Sequence, residues 1–469
     1  MKKLLVIAFA ALFAACTQNT APSGVAAKFD SIKDNEIELR VFLQDMPKGG
    51  DLHNHLFGAV YGESWIKWAE QDGLCLDTPN LSIRFPGEND CGNMPDVKTA
   101  LAGNQDLRNE LIERFSLRDF VPSAGWSGHD QFFRTFGSMA ALPSRFGDMV
   151  AETANLAGEQ NILYLELMHT MELFETILPM VANAPMTGDA ATDYATLMSG
   201  KFGAALPDLV ARAMRDIDTA TARKDELLGC GTDTAKPGCD VEVRFQNQTV
   251  RTLPLAAVYA HTIFGWELMA QDARFVGTNL VAPEDDFIAL RDYDAHMQQL
   301  GYLYETLGAR NISLHAGELW LGLVHPDELR DHVTKAVHVA RAKRIGHGTD
   351  IIFETGYKDL LKYMADNKIL VEINLTSSDA ILGISGDQHP LAIYQSAGVP
   401  LSLSTDDEGV ARIDLTHEYV RGVREHDFSY AELKDMSYNA LRYAFVDEET
   451  KDRLLKKLDE KFAAFEREF

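Results

Sequence analysis

The chain has 469 residues, 46% of them hydrophobic, and a formal net charge of -26. This length and apolar fraction allow one large folded domain or two ordinary ones, and they exclude global disorder. The acidic balance argues against nucleic acid or an anionic membrane surface as a partner, because no basic surface is evident to offset phosphate charge. It favours a neutral or cationic substrate.

The first 16 residues have the features of an export signal. Met1-Lys-Lys precedes an apolar run from Leu4 to Ala15 that is too short to span a bilayer as a helix. Leu12-Phe-Ala-Ala-Cys16 is similar to a bacterial lipoprotein cleavage site, although Phe13 stands where Leu is usual, so ordinary cleavage and release is the alternative. Residues 17–27 predict a tether. We therefore expect an exported lipoprotein, periplasmic or at the cell surface, that is lipidated at Cys16 and meets the membrane only through this anchor.

The remaining four cysteines predict disulfides, because an exported compartment permits them. Four cysteines allow three connectivities, and proximity alone favours Cys75–Cys91 and Cys230–Cys239. A cysteine metal site is the alternative, but no Cys-x-x-Cys spacing supports it.

The N-terminal third of the chain predicts helices and one long insertion. An apolar stripe predicts a helix over 28–45, and residues 63–70 predict another. Residues 73–98 are rich in Pro, Gly, Asn and Asp and predict a loop. Residues 107–157 are mainly helical, and their aromatic residues at 132, 133 and 136 predict core packing.

From there, short apolar runs and helical patterns alternate. With the strand that ends at His55, the predicted strands number eight: the others cover 161–167, 240–245, 274–279, 311–315, 344–348, 369–374 and 399–404. Helices are predicted between them, at 253–272, 286–308, 327–342, 356–367 and 389–397, and again from Leu415 onward. This order predicts an α/β fold, a (β/α)8 TIM barrel formed by one domain over 28–469, with extra N-terminal helices and an insertion at 73–130.

Polar residues recur at the carboxyl ends of these strands, where a barrel of this kind carries its active site. The first strand ends in His53-Asn-His55, whose imidazoles point to one side. The other candidates are His315, Glu318, His347, Asp406 and Asp407. Three histidines and a carboxylate meet the needs of a hydrolytic zinc site. A carboxyl group beside a ligand, as at 318, suits a general acid, and the glycine-flanked imidazole at 347 could deprotonate a water.

Each of these residues also has a plainer interpretation. A single histidine is more often a hydrogen-bonded core or surface residue, and the aspartate pair could cap a helix. Glu166, Glu242 and Glu372 alternate with apolar residues and could be buried structural carboxylates that face the barrel. The ordered set of strand-end residues favours a shared site.

The chain resembles a known family, the adenosine/AMP deaminases of the amidohydrolase superfamily. The motifs that carry the resemblance occur in family order: Met46-Pro-Lys-Gly-Gly-Asp-Leu-His-Asn-His55, Tyr164-Leu-Glu166, His315-Ala-Gly-Glu318, Arg344-Ile-Gly-His-Gly348, Asn374-Leu-Thr-Ser-Ser378, His389-Pro390 and Ser402-Leu-Ser-Thr-Asp-Asp407. The long N-terminal part, the export signal and the early cysteine pair resemble the secreted, growth-factor-related branch.

The resemblance implies one Zn²⁺ per chain and a small purine substrate. By the same resemblance, His53, His55, His315 and Asp406 would bind the zinc, and Glu318 would donate a proton to the purine. His347, with Asp406, would activate the attacking water. Asp407 would bond N7, and the backbone of Gly277 would meet N3. Phe57 stands where typical adenosine deaminases have an Asp that contacts ribose, which leaves adenosine itself in question.

Three functions follow as hypotheses. The first is zinc-dependent hydrolytic deamination of adenosine or a related 6-aminopurine nucleoside or base. The second is an inert purine-binding or receptor-binding surface lipoprotein, which the complete set of candidate ligands and acid argues against. The third is another amidohydrolase-type hydrolysis. Dinuclear members often bridge two metals with a lysine on the fourth strand, and residues 274–279 contain none. The oligomeric state is left open.

Overall fold

Eight parallel strands form a closed barrel in the computed structural model, which describes residues 24–87, 90–140 and 142–469. The strands are β1 (Lys48–His55), β2 (Ile162–His169), β3 (Glu242–Val250), β4 (Phe275–Val281), β5 (Ser313–Ala316), β6 (Arg344–His347), β7 (Leu370–Ile373) and β8 (Leu401–Leu403). They pair in two parallel sheets of four, β1 to β4 and β5 to β8. Bridges between Thr278 and Ile312 and between Asn54 and Asp406 join the two sheets, so the predicted (β/α)8 fold is confirmed.

Helices surround the barrel and fill the connections between the strands. Those of five residues or more are Val25–Ile32, Glu36–Asp45, Gly62–Gln71, Val97–Leu101, Gln105–Arg114, Gly128–Phe136, Phe146–Glu159, Ala190–Ser199, Lys201–Leu228, Leu255–Gln271, Phe287–Thr306, His332–His338, Tyr357–Asp366, Leu391–Ser396, Leu415–His426, Tyr430–Arg442 and Glu448–Glu466, with π-helical turns at Leu173–Ile177 and Ser378–Leu382. Their apolar faces pack against the outside of the strands and bury the main hydrophobic core.

The N-terminal region differs from its prediction in two respects. Two helices, Val25–Ile32 and Glu36–Asp45, replace the single helix predicted over 28–45. The break has a local cause, because the Asn35 side chain accepts hydrogen bonds from two backbone N–H groups of the second helix and so caps its start. The first helix also begins at Val25, within the stretch predicted as a tether.

The segment predicted as a loop over 73–98 contains regular structure. Cys75–Asp77 pairs with Ser82–Arg84 in an antiparallel hairpin, and the short helix Val97–Leu101 follows. The backbone of this hairpin also bonds outside itself, since the N–H of Ile83 donates to Ser138 O at 2.9 Å. The Pro- and Gly-rich composition predicted the turns of this segment correctly, but it did not indicate the two short strands between them.

The barrel interior is unusually polar. Side chains that are fully buried there include His53, Glu166, Gln246, Ser313, Arg344 and Glu372. Such interiors are normally filled by branched apolar residues. Buried charges persist only when they are paired, so these residues must form ion pairs and hydrogen bonds with one another or with a ligand.

Within the ranges that the structure describes, no helix is both long enough and apolar enough to cross a membrane.

Candidate active site and metal centre

Four ligand atoms converge at the carboxyl end of the barrel. The Nε2 atom of His315 lies 3.0 Å from Nε2 of His53 and 3.1 Å from Nε2 of His55. The Oδ1 atom of Asp406 lies 3.2 Å from Nε2 of His53 and 3.1 Å from Nε2 of His55. Ligands at about 2.0–2.1 Å from a tetrahedral zinc are separated by about 3.3 Å, so this spacing fits one metal ion at the centre.

The other nitrogen of each imidazole is held by an acceptor. His53 Nδ1 lies 2.8 Å from Glu372 Oε2, His55 Nδ1 lies 2.8 Å from Gln248 Oε1, and His315 Nδ1 lies 2.9 Å from Asn279 Oδ1. These contacts favour hydrogens on Nδ1 and leave the Nε2 lone pairs facing one another. Such an arrangement is typical of metal-ligating histidines. Sequence reasoning missed Gln248 and Asn279, because acceptors of this kind carry no motif.

The electrostatics of the cluster favour a cation. Burial alone would lower the pKa of His53, but Asp406 and Glu372 outweigh it and raise that pKa to about 10. Burial would likewise raise the pKa of Asp406, but its close contacts with the imidazoles of His53 and His55 hold that pKa well below the usual range. A divalent metal ion supplies the positive charge that the site otherwise draws from a proton. Asp406 Oδ1 is buried and has no conventional hydrogen-bond donor, as expected for a ligand atom.

Glu318 and His347 lie beside this cluster. Glu318 Oε1 is 3.5 Å from His347 Nδ1 and has no other polar partner. Burial, with the nearby charges of Asp406 and Glu284, raises the pKa of Glu318 well above its usual value. Burial lowers the pKa of His347 to about 3. These shifts favour a protonated carboxylic acid at Glu318 and a neutral imidazole at His347, that is, a proton donor beside a proton acceptor.

The two glycines around His347 permit close packing. A Cβ on Gly346 would lie 2.5 Å from Cε1 of His53, so that imidazole requires the glycine. His347 itself has φ 67°, a left-handed conformation that is uncommon outside glycine and indicates local strain. Asp406 also has a positive φ, 61°. Strained backbone at two of the candidate residues is typical of functional sites.

Glu284 holds the turn that presents Glu318. Its carboxylate accepts hydrogen bonds from the backbone N–H groups of Gly317 and Glu318 at 3.1 and 2.8 Å. Its Oε1 atom also lies 2.6 Å from His332 Nδ1. Sequence reasoning missed this residue as well; its place in the loop directly after β4 was the only available signal.

Asp407 and Phe57 flank the metal cluster on the side of β1. Burial and the charge of Asp406 raise the pKa of Asp407 to about 7, and its Oδ1 has no donor. Gly58 packs so closely that a Cβ there would overlap this oxygen. The Phe57 ring is half-buried, with its centroid 4.5 Å from that of Trp65 and 6.2 Å from that of Phe136. It therefore packs against the helices that follow β1.

Comparisons with known proteins place the chain in a family. The adenosine deaminase family model matches residues 207–461, more than half of the chain. The chain belongs to the adenosine deaminase family. It is 31% identical over 182 residues to an adenosine deaminase of Clostridium acetobutylicum, which is 39% of this chain and 49% of that protein. It is 35% identical over 166 residues to an adenine deaminase of Rhizobium leguminosarum bv. trifolii, covering 34% of this chain and 49% of the relative. The chain thus matches about half the length of these relatives.

A solved structure extends the likeness in fold to nearly the whole barrel. The N6-mAMP deaminase MAPDA of Arabidopsis superimposes with a TM-score of 0.58, at 19% identity, over 90% of this chain and 99% of that chain. At this level of identity the likeness concerns the fold, and that fold is the family's barrel.

Gly277, which the family resemblance assigns to N3 of the purine, is the third residue of β4 and pairs with Gln246. A Cβ on Gly277 would lie 3.0 Å from the Phe445 ring. The contact between the Gly277 backbone and N3 stays a prediction.

Both predicted disulfides are present. Cys75 pairs with Cys91 and Cys230 with Cys239, each with a Cα–Cα distance of 5.4 Å, as proximity predicted.

The three glutamates that alternate with apolar residues differ in burial. Glu166 and Glu372 are fully buried in the barrel, whereas Glu242 is partly exposed and pairs with Arg453 at 2.7 Å. Cys16 lies outside the described residues.

Proposed function

We propose that the protein hydrolyses the exocyclic amino group of a 6-aminopurine nucleoside or base, adenosine or a related compound, to the 6-oxo product and ammonia. One observation carries the proposal: a buried Glu318, whose pKa burial raises well above its usual value, lies beside the His347 imidazole and a convergent set of three imidazoles and a carboxylate. Hydrolytic deamination of a purine needs a proton donor for the ring, an acceptor for the water's proton and a Lewis acid, and these residues supply the first two.

The metal of this proposal is one Zn²⁺ per chain. His53, His55, His315 and Asp406 would hold it, since three nitrogen ligands and one carboxylate suit zinc better than magnesium or calcium. Bound there, zinc supplies a Lewis acid that lowers the pKa of water to near neutrality. The family is metal-dependent, and the structure brings ligand atoms of His53, His315, His347 and Asp406 within 4.8 Å of one another, with His55 grouped beside Asp406 and Asp407.

The side chains divide the proton transfers between them. Glu318, whose raised pKa favours the protonated form, gives its proton to N1 of the purine ring and makes C6 electrophilic. His347 is neutral and takes one proton from the attacking water, which Asp406 orients, as the water oxygen adds to C6. His347 then gives this proton to the amino group, which leaves as ammonia when the C6–N bond breaks, and the C6 hydroxyl proton returns to Glu318, so that the 6-oxo product keeps its proton on N1. Asp407, with a pKa near 7, can donate a hydrogen bond to N7 while it is protonated.

The substrate is tested directly with a panel of 6-aminopurines. The relatives are named for adenosine, adenine and N6-mAMP, so the panel should include the base, the nucleoside, the nucleotide and an N6-methyl compound. Purified zinc-loaded protein is assayed by release of ammonia or methylamine. Turnover of at least one member supports the proposal. Binding of a purine without turnover would instead favour the inert binding protein, and hydrolysis of an unrelated amide would favour another amidohydrolase chemistry.

We also propose that the protein is exported and lipidated at Cys16. The basic start, the short apolar run and two disulfides in the folded part support this location. Metabolic labelling with a radioactive fatty acid should mark the wild-type chain and not Cys16→Ser. Equal labelling of both chains, or of neither, contradicts the assignment.

A further inference from the structure

A column of charged side chains runs through the barrel beneath the metal site. Arg344 begins β6, and its side chain is fully buried. Its Nη2 lies 2.5 Å from Glu166 Oε2, and its Nε lies 2.6 Å from Glu372 Oε1. Glu372 in turn contacts His53 Nδ1 at 2.8 Å. One guanidinium therefore joins two buried carboxylates, and one of these carboxylates holds a predicted metal ligand.

The lower end of this column is closed by the segment 443–445, which links the last two helices. Arg344 Nη1 donates to Tyr443 O at 3.0 Å, and the guanidinium lies 3.7 Å from the centre of the Phe445 ring. The backbone N–H of Phe445 donates to Glu166 Oε1 at 2.8 Å. We call this end of the barrel, closed by residues 443–445 where the strands begin, the floor. The floor and the candidate metal site are thus the two ends of one polar path.

The charges of this path are incomplete without a cation. With His53 neutral, as a metal ligand must be, Glu166, Glu372 and Asp406 contribute three negative charges and Arg344 one positive charge. The two negative charges that remain are the number that one divalent metal ion neutralises. Uncompensated charge is costly in a buried site, so the metal completes an ionic array that extends to the floor.

We propose that Glu166, Arg344 and Glu372 are positioning residues that couple the barrel floor to the metal site. Arg344 holds Glu372 in place, Glu372 orients His53 with its Nε2 toward the metal, and Glu166 fixes Arg344 against the segment 443–445. Because such coupling is reciprocal, metal binding stabilises the floor by the same free energy with which the ordered floor favours metal binding. The inference rests on the metal centre of the proposed function.

The decisive variant is Glu166→Gln, because Glu166 touches no metal ligand. Its matched control is Glu242→Gln on the neighbouring strand, whose carboxylate bonds arginines at the floor outside the column. Zinc affinity is measured by competition with a chromophoric chelator. We expect Glu372→Gln to weaken zinc binding by about 10–100-fold, as the loss of such a partner typically does. Glu166→Gln should weaken it by several-fold, and Glu242→Gln should match wild type.

A second measurement needs no variant. Hydrogen exchange of the Phe445 amide in the full wild-type chain should slow when zinc is added, while that of Leu458, in the last helix, should change less. Zinc affinity of Glu166→Gln equal to that of Glu242→Gln overturns the coupling, as does a Phe445 amide that exchanges equally with and without zinc. Failure of the proposed function would give a different result, because the wild-type chain itself would then bind no zinc. If Glu166→Gln does not fold, the exchange measurement decides.

Discussion

Glu318 combines a buried carboxyl group with a place beside the candidate metal ligands. Its neutral form is favoured by burial and by the neighbouring charges of Asp406 and Glu284. A carboxylic acid kept protonated near neutral pH is the device that general acid catalysis requires.

Glu318→Gln should fold and bind zinc but lose nearly all turnover. The amide has the shape of the acid and cannot deliver the proton, a step worth about 10²–10⁴-fold in rate. Deaminase rate and metal content are measured together, with Glu328→Gln in the same loop as the control. Activity within a few-fold of wild type would remove Glu318 from the mechanism.

Phe57 tests how the site treats a sugar. The half-buried ring offers no acceptor to a hydroxyl group, so we expect weak discrimination between adenosine and 5′-deoxyadenosine. Phe57→Asp should increase the preference for adenosine, and Phe57→Ala separates the loss of the ring from the gain of the carboxylate. The ratio of kcat/KM for the two substrates is the measurement. A wild-type preference of several orders of magnitude that Phe57→Asp leaves unchanged would assign the ring to packing alone.

Asp350 should make stability depend on pH. It is fully buried, neither carboxylate oxygen has a donor, and burial with the nearby Glu354 and Glu284 raises its pKa well above the usual value. Between the unfolded and folded pKa values the native state holds a proton that the unfolded state releases, so this residue lowers stability as pH rises, by about 1.4 kcal/mol per unit.

Asp350→Asn should therefore gain stability relative to wild type as the pH is raised from 5 to 7. Thermal unfolding at both pH values measures this, with the exposed Asp359→Asn as a control for the loss of one negative charge. A stability difference from wild type that is the same at both pH values would show that Asp350 is not held protonated.

Among the elements, the segment after β1 shows how local and tertiary forces combine. The hairpin Cys75–Asp77 with Ser82–Arg84 is too short to be stable alone. The disulfide Cys75–Cys91 and the bond from Ile83 to Ser138 fasten it to the rest of the insertion. The helices Gly62–Gln71 and Gly128–Phe136 of the same region pack on Phe57 at the mouth. The stability of the insertion therefore bears on the site.

Replacing Cys75 and Cys91 by Ala should lower the free energy of unfolding by about 3 kcal/mol. The pair spans 16 residues, and a cross-link of that length restricts the unfolded chain by about this amount in the chain-entropy model. Replacing Cys230 and Cys239, which span 9 residues, should cost less. Denaturant unfolding of the two double variants measures the difference. An equal or reversed order would show that native contacts outweigh chain entropy.

At the scale of the whole molecule, the proposed metal ion would close the ring of strands. The bridge between Asn54 and Asp406 joins the first strand to the residues that follow the last, and it lies between the predicted ligands. The backbone N–H of His55 donates to Asp406 O, and that of Asp406 donates to His53 O, both at 2.9 Å. A metal held by these residues cross-links the seam of the barrel.

One zinc per chain should bind, and its removal should lower Tm. A ligand that binds only the native state stabilises it by about 4 kcal/mol at a thousandfold excess over Kd. Elemental analysis gives the stoichiometry, and thermal unfolding with and without a chelator gives the shift. Magnesium should not restore Tm, because the nitrogen donors disfavour it. No bound transition metal, or a Tm indifferent to chelation, contradicts the metal centre.

The sequence by itself determined the fold class and most of the candidate residues. Strands and helices alternate with distinct periodicities, and a strand that ends in His53-Asn-His55 places two imidazoles on one side whatever surrounds it. The pairing of the cysteines agrees with closeness along the chain, although the sequence alone allows three connectivities.

Only the tertiary structure decided what depends on register and on contacts between distant segments. The register of β4 against β3, which pairs Gly277 with Gln246, is set when the barrel forms, and no local pattern encodes it. The acceptors Gln248 and Asn279, the clamp Glu284 and the column through Arg344 join residues far apart in the chain. Each is an ordinary polar residue until the barrel closes, because burial and the partner that burial brings give it its role.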